Sequence, residues 1–321
     1  MNDLELKWYE AKKKLIDLVD SQKLDLKDIA VSFSGGKDST VVLKLIEEVG
    51  WKNKVKVVFF NTLMEYEVIY KFINKKRSEG WIIDETKPKM PAPLIYKKYG
   101  IPFKSKETSN KLWLMQQKNF DFINDGRKPL EELKEKYKGI LAPLKWWCGK
   151  HNNPSCKIPN WLKEELITNG LNFKVADKCC EYLKKKPVYE YNKLNKVKLS
   201  IIGIRQAEGG ARKQIYKGCT FFDKKHKQIK YFPLFWFSEK DMEDIIKWKN
   251  IDLCEAYTKY GLTRTGCVGC PYSMNCKSEL EDVVKVYEPN KYIACMNLFK
   301  DSYELKEKKN YKGKENEHNN N

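Results

Sequence analysis

The chain has 321 residues, 41% of them hydrophobic, and a formal net charge of +19. That length and composition allow one large domain or two small ones with a sizeable core. No apolar run reaches the ~18 residues of a membrane span, and the amphipathic, acid-bearing start "MNDLELKWYEAKKKL" is not a signal peptide, so a soluble cytoplasmic protein without a membrane partner is expected.

In chain order, residues 5–20 have helical spacing, and Asp28–Phe33 reads as a buried strand. The loop Ser34-Gly35-Gly36-Lys37-Asp38-Ser39-Thr40 follows, then a helix through Glu48 that stops at Gly50. A second strand is expected over 54–62, a helix over 64–80 and a third strand over 81–88. Strands alternating with helices predict a parallel sheet with helices on both faces. Ligands of such sheets bind at the carboxyl ends of the strands, where the glycine loop and Asn61-Thr62 fall.

The middle, 90–175, shows helical stretches and the Trp-rich "LKWWCGKHNNPSCKIPNW" without a clear pattern. Next come "NFKVADKCCEYLKKKP", a strand within "KLSIIGIRQAEGG", and "YFPLFWFSEKDMEDIIKW", where Ser238 is the expected N-cap with acids in the first turn. "TRTGCVGCPYSMNC" and a final helical stretch close the ordered part. The expected organisation is a nucleotide-binding α/β domain over 1–235, a small cysteine-bearing helical lobe over 236–302, and a disordered Lys/Asn-rich tail over 303–321.

Two common phosphate loops are excluded by residue identity. A Walker A loop needs G-x-x-x-x-G-K-[ST], but Val31 stands at the first glycine position and Asp38 replaces the Ser/Thr. G-x-G-x-x-G is also absent. The physical means of holding an anion are nonetheless present. Gly35 and Gly36 let backbone N–H groups converge, the helix adds its positive end, Lys37 adds charge, and Ser34, Ser39 and Thr40 add hydroxyls. Asp38 would repel phosphate unless it holds Mg²⁺ or orients Lys37.

The positive charge comes from 57 lysines against 5 arginines. A general lysine surplus on solvated faces explains it, and so does a nucleic-acid partner. Three of the rare arginines, Arg205, Arg212 and Arg264, sit beside glycines, where a guanidinium fork suits phosphate or carboxylate. Ten cysteines without a secretory signal read as metal ligands or redox groups before disulfides. Cys219, Cys254 and Cys295 read as ordinary small core or surface residues.

Ser34 to Ser39 resembles the PP-loop, S-G-G-x-D-S, of the ATP pyrophosphatase superfamily, at every fixed position. Cys179-Cys180 followed by lysines and Pro187, with a distant Cys267-Val-Gly-Cys270-Pro, resembles the cluster ligands of assimilatory adenylylsulfate reductases. The two together are similar to the phosphoadenosine-phosphosulfate reductase family, from about Asp28 to about Cys276. The resemblance implies an adenine nucleotide alpha hydrolase-like fold, with ATP and Mg²⁺ on the loop and a 4Fe–4S cluster on Cys179, Cys180, Cys267 and Cys270. Cys148 and Cys276 are alternates, since Cys148 with Cys267, Cys270 and Cys276 looks like the set in sulfurtransferases of DNA phosphorothioation. Zinc on four thiolates is the other metal reading. "GIRQAE" from Gly203 resembles the family's nucleotide-facing G-I-R-x-x-E. It implies nucleotide contacts from Arg205, Glu208 and, in the following loop, Arg212; an internal Arg205–Glu208 pair is the alternative.

The resemblance implies catalysis by Lys37, Asp38 and Arg205: ATP is cleaved at its α-phosphorus with pyrophosphate release, coupled to sulfur transfer from a donor protein. A reductase of adenylylsulfate or its 3′-phosphorylated form is the alternative, weakened because Cys295, the last cysteine, lacks E-C-G-L-H-like flanks. A further alternative is an ATP-switched nucleic-acid-binding subunit, which the basic charge and the many Tyr and Trp permit.

Overall fold

The computed structural model describes residues 2–153, 156–208 and 216–318, with Glu208 and 309–318 as backbone only. Helix α1 (Asp3–Ser21) is followed by β1 (Ile29–Ser32), α2 (Lys37–Glu48), β2 (Lys56–Phe60), α3 (Glu67–Ser78) and β3 (Ile83–Thr86). Five helices occupy the middle: α4 (Ala92–Tyr99), α5 (Lys106–Gln116), α6 (Leu130–Lys136), α7 (Leu141–Trp147) and α8 (Asn160–Asn169). Then come α9 (Lys186–Leu194), β4 (Leu199–Ile201), β5 (Thr220–Asp223), β6 (Gln228–Tyr231), α10 (Glu239–Trp248), α11 (Glu255–Thr258) and α12 (Pro289–His318).

The chain forms two compact units, each discontinuous in sequence. One is Met1–Lys89 with Lys184–Cys267; the other is Met90–Leu183 with Val268–Asn321.

The first unit contains the sheet. Its order is β3-β2-β1-β4-β6-β5, parallel except for the β5–β6 pair. The apolar run Ile29-Ala30-Val31 is fully buried, as a central parallel strand requires. Val31 lies between Val57 of β2 and Ile201 of β4. β2 and β3 lie to one side of β1 and β4 to the other, so the strand order reverses there. Right-handed crossovers toward opposite sides put helices on both faces. They also open a crevice beyond the carboxyl ends of β1 and β4, the usual ligand position in such sheets. The expected parallel α/β sheet is thus present.

Two capping boxes fix helices of this unit. Asn2 caps α1 with Glu5, and the helix buries Trp8, Ala11, Leu15 and Val19 at three- and four-residue spacing. Ser238 caps α10 with Asp241, at the position the sequence indicated.

The second unit is helical. Its core joins Phe103, Leu112, Met115, Phe120, Trp146, Trp147, Leu162 and Leu166. The Trp147 indole N–H donates to the Gly126 carbonyl at 2.9 Å, satisfying the one polar atom that a buried tryptophan brings. Helix α12 runs to His318. Tyr303 and Leu305 are buried, and Ser302 Oγ donates to the Pro102 carbonyl at 2.8 Å. Among the described residues, no helix is long and apolar enough to cross a membrane.

Candidate functional site

β1 ends at Ser32, and the Phe33 N–H donates to the Val58 carbonyl at 2.9 Å, carrying the sheet pairing one residue further. The backbone then turns at Gly35 with φ +70°, a left-handed conformation that L side chains rarely adopt. Gly36 is extended and caps α2 without a side-chain hydrogen bond. The first-turn N–H groups of α2 therefore open toward the crevice.

The loop hydroxyls point inward. Ser39 Oγ donates to the Gly36 carbonyl at 2.8 Å and accepts the Ser34 N–H at 3.2 Å; Thr40 Oγ1 donates to the same carbonyl at 2.9 Å. A hydroxyl has one proton to give, so Ser39 and Thr40 shape the loop in this state. The Lys37 N–H is met by the hydroxyl of Tyr257 at 2.9 Å, and that hydroxyl lies 3.3 Å from Thr265 Oγ1. A Cβ on Gly36 would fall 2.9 Å from Thr265 Oγ1, so residues 257–265 close tightly over the loop.

Charged groups converge at the loop mouth. Arg205, two residues past Gly203 at the end of β4, is buried and donates from Nε to Asp38 Oδ2 at 3.1 Å. Its Nη2 lies 2.6 Å from Glu239 Oε2. The other Glu239 oxygen accepts from Lys37 Nζ. Burial works to raise the Glu239 carboxyl, but the hydrogen bonds from Lys37 and Arg205 outweigh it and hold the carboxyl below its usual range. For Arg205, burial works against the charge, and Asp38 and Glu239 more than restore it. A Cβ on Gly203 would fall 3.0 Å from the Asp38 carbonyl carbon, so the end of β4 lies against the first turn of α2.

The structure thus gathers Ser34, Gly35, Gly36, Lys37, Asp38, Ser39, Thr40 and Arg205 within this unit. Arg205 pairs with Asp38 and Glu239. The Glu208 side chain and all of Arg212 lie outside the described residues. Asn61 is buried and supports the end of β2. It accepts the Leu63 N–H at 2.8 Å and the Tyr70 hydroxyl at 3.0 Å, and it donates to Glu85 Oε1 at 2.8 Å. Sequence reasoning missed Glu239, Tyr257 and Thr265. Glu239 looked like an ordinary first-turn acid beside Ser238, and nothing in the sequence linked it to Arg205.

Among the described residues, no group of three or more Cys, His, Asp and Glu is arranged to hold a metal ion. A 4Fe–4S cluster or zinc on Cys179, Cys180, Cys267 and Cys270, with Cys148 and Cys276 as alternates, stays an expectation from the sequence. Cys267 ends the first unit, with its Sγ 3.8 Å from Thr62 Oγ1, while the other five belong to the second. Burial pushes the Cys276 thiol up to about 11. Cys254 and Cys295 are buried, consistent with ordinary core residues, and Cys219 is half-buried.

The family model of the phosphoadenosine phosphosulfate reductase domain matches residues 28–117 and 154–273. No curated protein matches the chain significantly. Phosphoadenylyl-sulfate reductase from Candida auris, in a phosphate complex, is similar over 75% of this chain and 81% of its own, at 15% identity and a TM-score of 0.42. FMN adenylyltransferase from Candida glabrata, in complex with FMN and the ATP analogue AMPCPP, is similar over 87% of this chain and 74% of its own, at 15% identity and a TM-score of 0.44. A second structure of that adenylyltransferase covers 92% of this chain and 80% of its own, at 14% identity and a TM-score of 0.45.

Proposed function

This chain belongs to the phosphoadenosine phosphosulfate reductase family, and on that premise we propose that it binds ATP on Ser34–Thr40, adenylates an acceptor and releases pyrophosphate. The observation that carries this reading is the convergence of Lys37, Asp38 and Arg205 at the mouth of the glycine loop. An acceptor oxygen attacks the α-phosphorus, the bond to the bridging oxygen breaks, and its electron pair leaves with pyrophosphate. Positioning and charge neutralisation by Lys37, Arg205 and the N-terminus of α2 are the protein's part.

Mg²⁺ fits this reading through Asp38, because that ion takes one or two carboxylates together with substrate phosphates. When bound it would neutralise the leaving pyrophosphate. The net charge of +19 supports an anionic acceptor such as nucleic acid. Sulfur transfer through a thiolate-held cluster is the finer part of this reading, supported by the cysteine spacing. A coloured, iron-bearing protein from anaerobic purification would support it; a colourless one would remove it. The reductase reading asks for an accessible thiol, whereas Cys295 is 2% exposed with its Sγ donating to the Val268 carbonyl at 3.5 Å.

The test is pyrophosphate release from ATP across candidate acceptors. Lys37→Ala and Asp38→Ala should abolish release while leaving the fold intact by circular dichroism. Release undiminished in both variants would overturn the reading.

A further inference from the structure

Glu239 stands at the first turn of α10, 202 residues from Lys37 in sequence. One of its oxygens accepts from Lys37 Nζ, and the other lies 2.6 Å from Arg205 Nη2. One carboxylate thus occupies both cations that the proposed reaction assigns to phosphate. The exposures are unequal: the side chains of Lys37 and Arg205 are 16% and 5% exposed, and that of Glu239 is 57% exposed. The cations are fixed in the crevice, while the carboxylate reaches in from the rim. Its backbone is anchored by the Ser238–Asp241 capping box, which does not involve the Glu239 side chain. The side chain can swing away without unwinding the helix.

We propose that Glu239 is an intramolecular counter-anion of the nucleotide site, holding Lys37 and Arg205 in place until the phosphates of the nucleotide displace it. This rests on the ATP reading of the loop. Arg205 also pairs with Asp38, but without the shared carboxylate of Glu239 the two cations would repel each other more strongly, at a cost. A carboxylate on the rim removes that cost, yet yields easily because pairs reaching into solvent are weak. Glu239 is therefore a positioning residue that lowers nucleotide affinity, and its removal strengthens binding. A purely structural role predicts the reverse.

The experiment is titration calorimetry with a non-hydrolysable ATP analogue and Mg²⁺ on the full chain. The proteins are wild type, Glu239→Gln, Glu239→Asp, Lys37→Ala and the charge-matched control Glu243→Gln on the same helix. Glu239→Gln should bind about five- to tenfold more tightly than wild type, the scale of a partly exposed ion pair. Glu239→Asp, one methylene too short to reach both cations at once, should fall between the two, and Glu243→Gln should match wild type. If Glu239→Gln does not fold, the Asp variant decides alone: tighter than wild type supports the proposal, equal or weaker overturns it. An equal gain in Glu243→Gln overturns it as general electrostatics. Wild-type binding that Lys37→Ala abolishes, with no gain in either Glu239 variant, overturns the counter-anion and leaves the ATP reading standing. Absence of binding in every protein overturns both.

Discussion

Arg205 Nε donates to Asp38 Oδ2 at 3.1 Å across 167 residues of chain, tying the end of β4 to the first turn of α2. The pair joins the two strands flanking the switch point of the sheet, and so it fixes the width of the crevice. The Arg205 side chain is 5% exposed and that of Asp38 19%. Removing one partner leaves a charge in a dry place, which costs on the order of 3 kcal/mol. Asp38→Asn and Arg205→Ala should each lower stability by about that much in urea unfolding, and the double variant should lose less than the sum. Strict additivity would show that the pair is not coupled.

The packing of Gly203 against Asp38 gives a steric prediction. A methyl at Gly203 would meet backbone atoms of Asp38 at 3.0 and 3.1 Å and the Ser39 nitrogen at 3.2 Å. Backbone cannot turn aside as a side chain can, so Gly203→Ala should cost about 1–3 kcal/mol and weaken nucleotide binding together with it. Gly218 has nothing within 4 Å of an added Cβ, and Gly218→Ala should change stability by under about 0.5 kcal/mol. Thermal unfolding and calorimetry of the two variants check the contrast.

Glu48 makes folding acid-sensitive. Burial works to raise its carboxyl, but hydrogen bonds from Trp8, Lys249 and Lys12 bring it down to about 2 from an ordinary 4.5. A carboxyl depressed in the folded state stabilises the fold above its unfolded value, and the stability is lost as pH falls from about 4.5 toward 2. That contribution is on the order of 2–3 kcal/mol at neutral pH. Trp8 Nε1 donates to Glu48 Oε2 at 2.8 Å, so tryptophan fluorescence follows the loss directly. Glu48→Gln should be less stable than wild type at pH 7 and close to it near pH 2.

Thiol reactivity should sort by burial. Cys254 is 1% exposed, its Sγ donates to the Val68 carbonyl at 3.2 Å, and burial pushes the thiol up to about 11. Cys276 and Cys295 are also buried, whereas Cys219 is half-buried. Alkylation at neutral pH followed by peptide mass spectrometry should modify Cys219 first and leave Cys254, Cys276 and Cys295 protected until unfolding. Rapid labelling of Cys295 in the folded protein would reopen the reductase reading.

The glycine loop was legible because its chemistry is local. A buried strand, two glycines and a capped helix follow one another within a dozen residues, and the helix ends at Glu48 as the periodicity indicates. Ser238 was legible for the same reason. The middle of the chain was not, because α4 to α8 are only 7 to 11 residues long, too few turns for a helical period to stand out.

By itself, the sequence determined the nature of the sheet, the loop after β1 and the donor groups of that loop, since all three depend on residues adjacent in the chain. Only the tertiary structure decided what faces the loop. The crossover that returns β4 beside β1 brings Arg205 to Asp38, and the packing of α10 brings Glu239 to both Arg205 and Lys37. Folding also chose how the loop hydroxyls are used, because a proton donated to the Gly36 carbonyl is not free for phosphate. Charge pairing acts through space over a few ångströms, and which charges come that close is fixed by strand order rather than by position in the sequence.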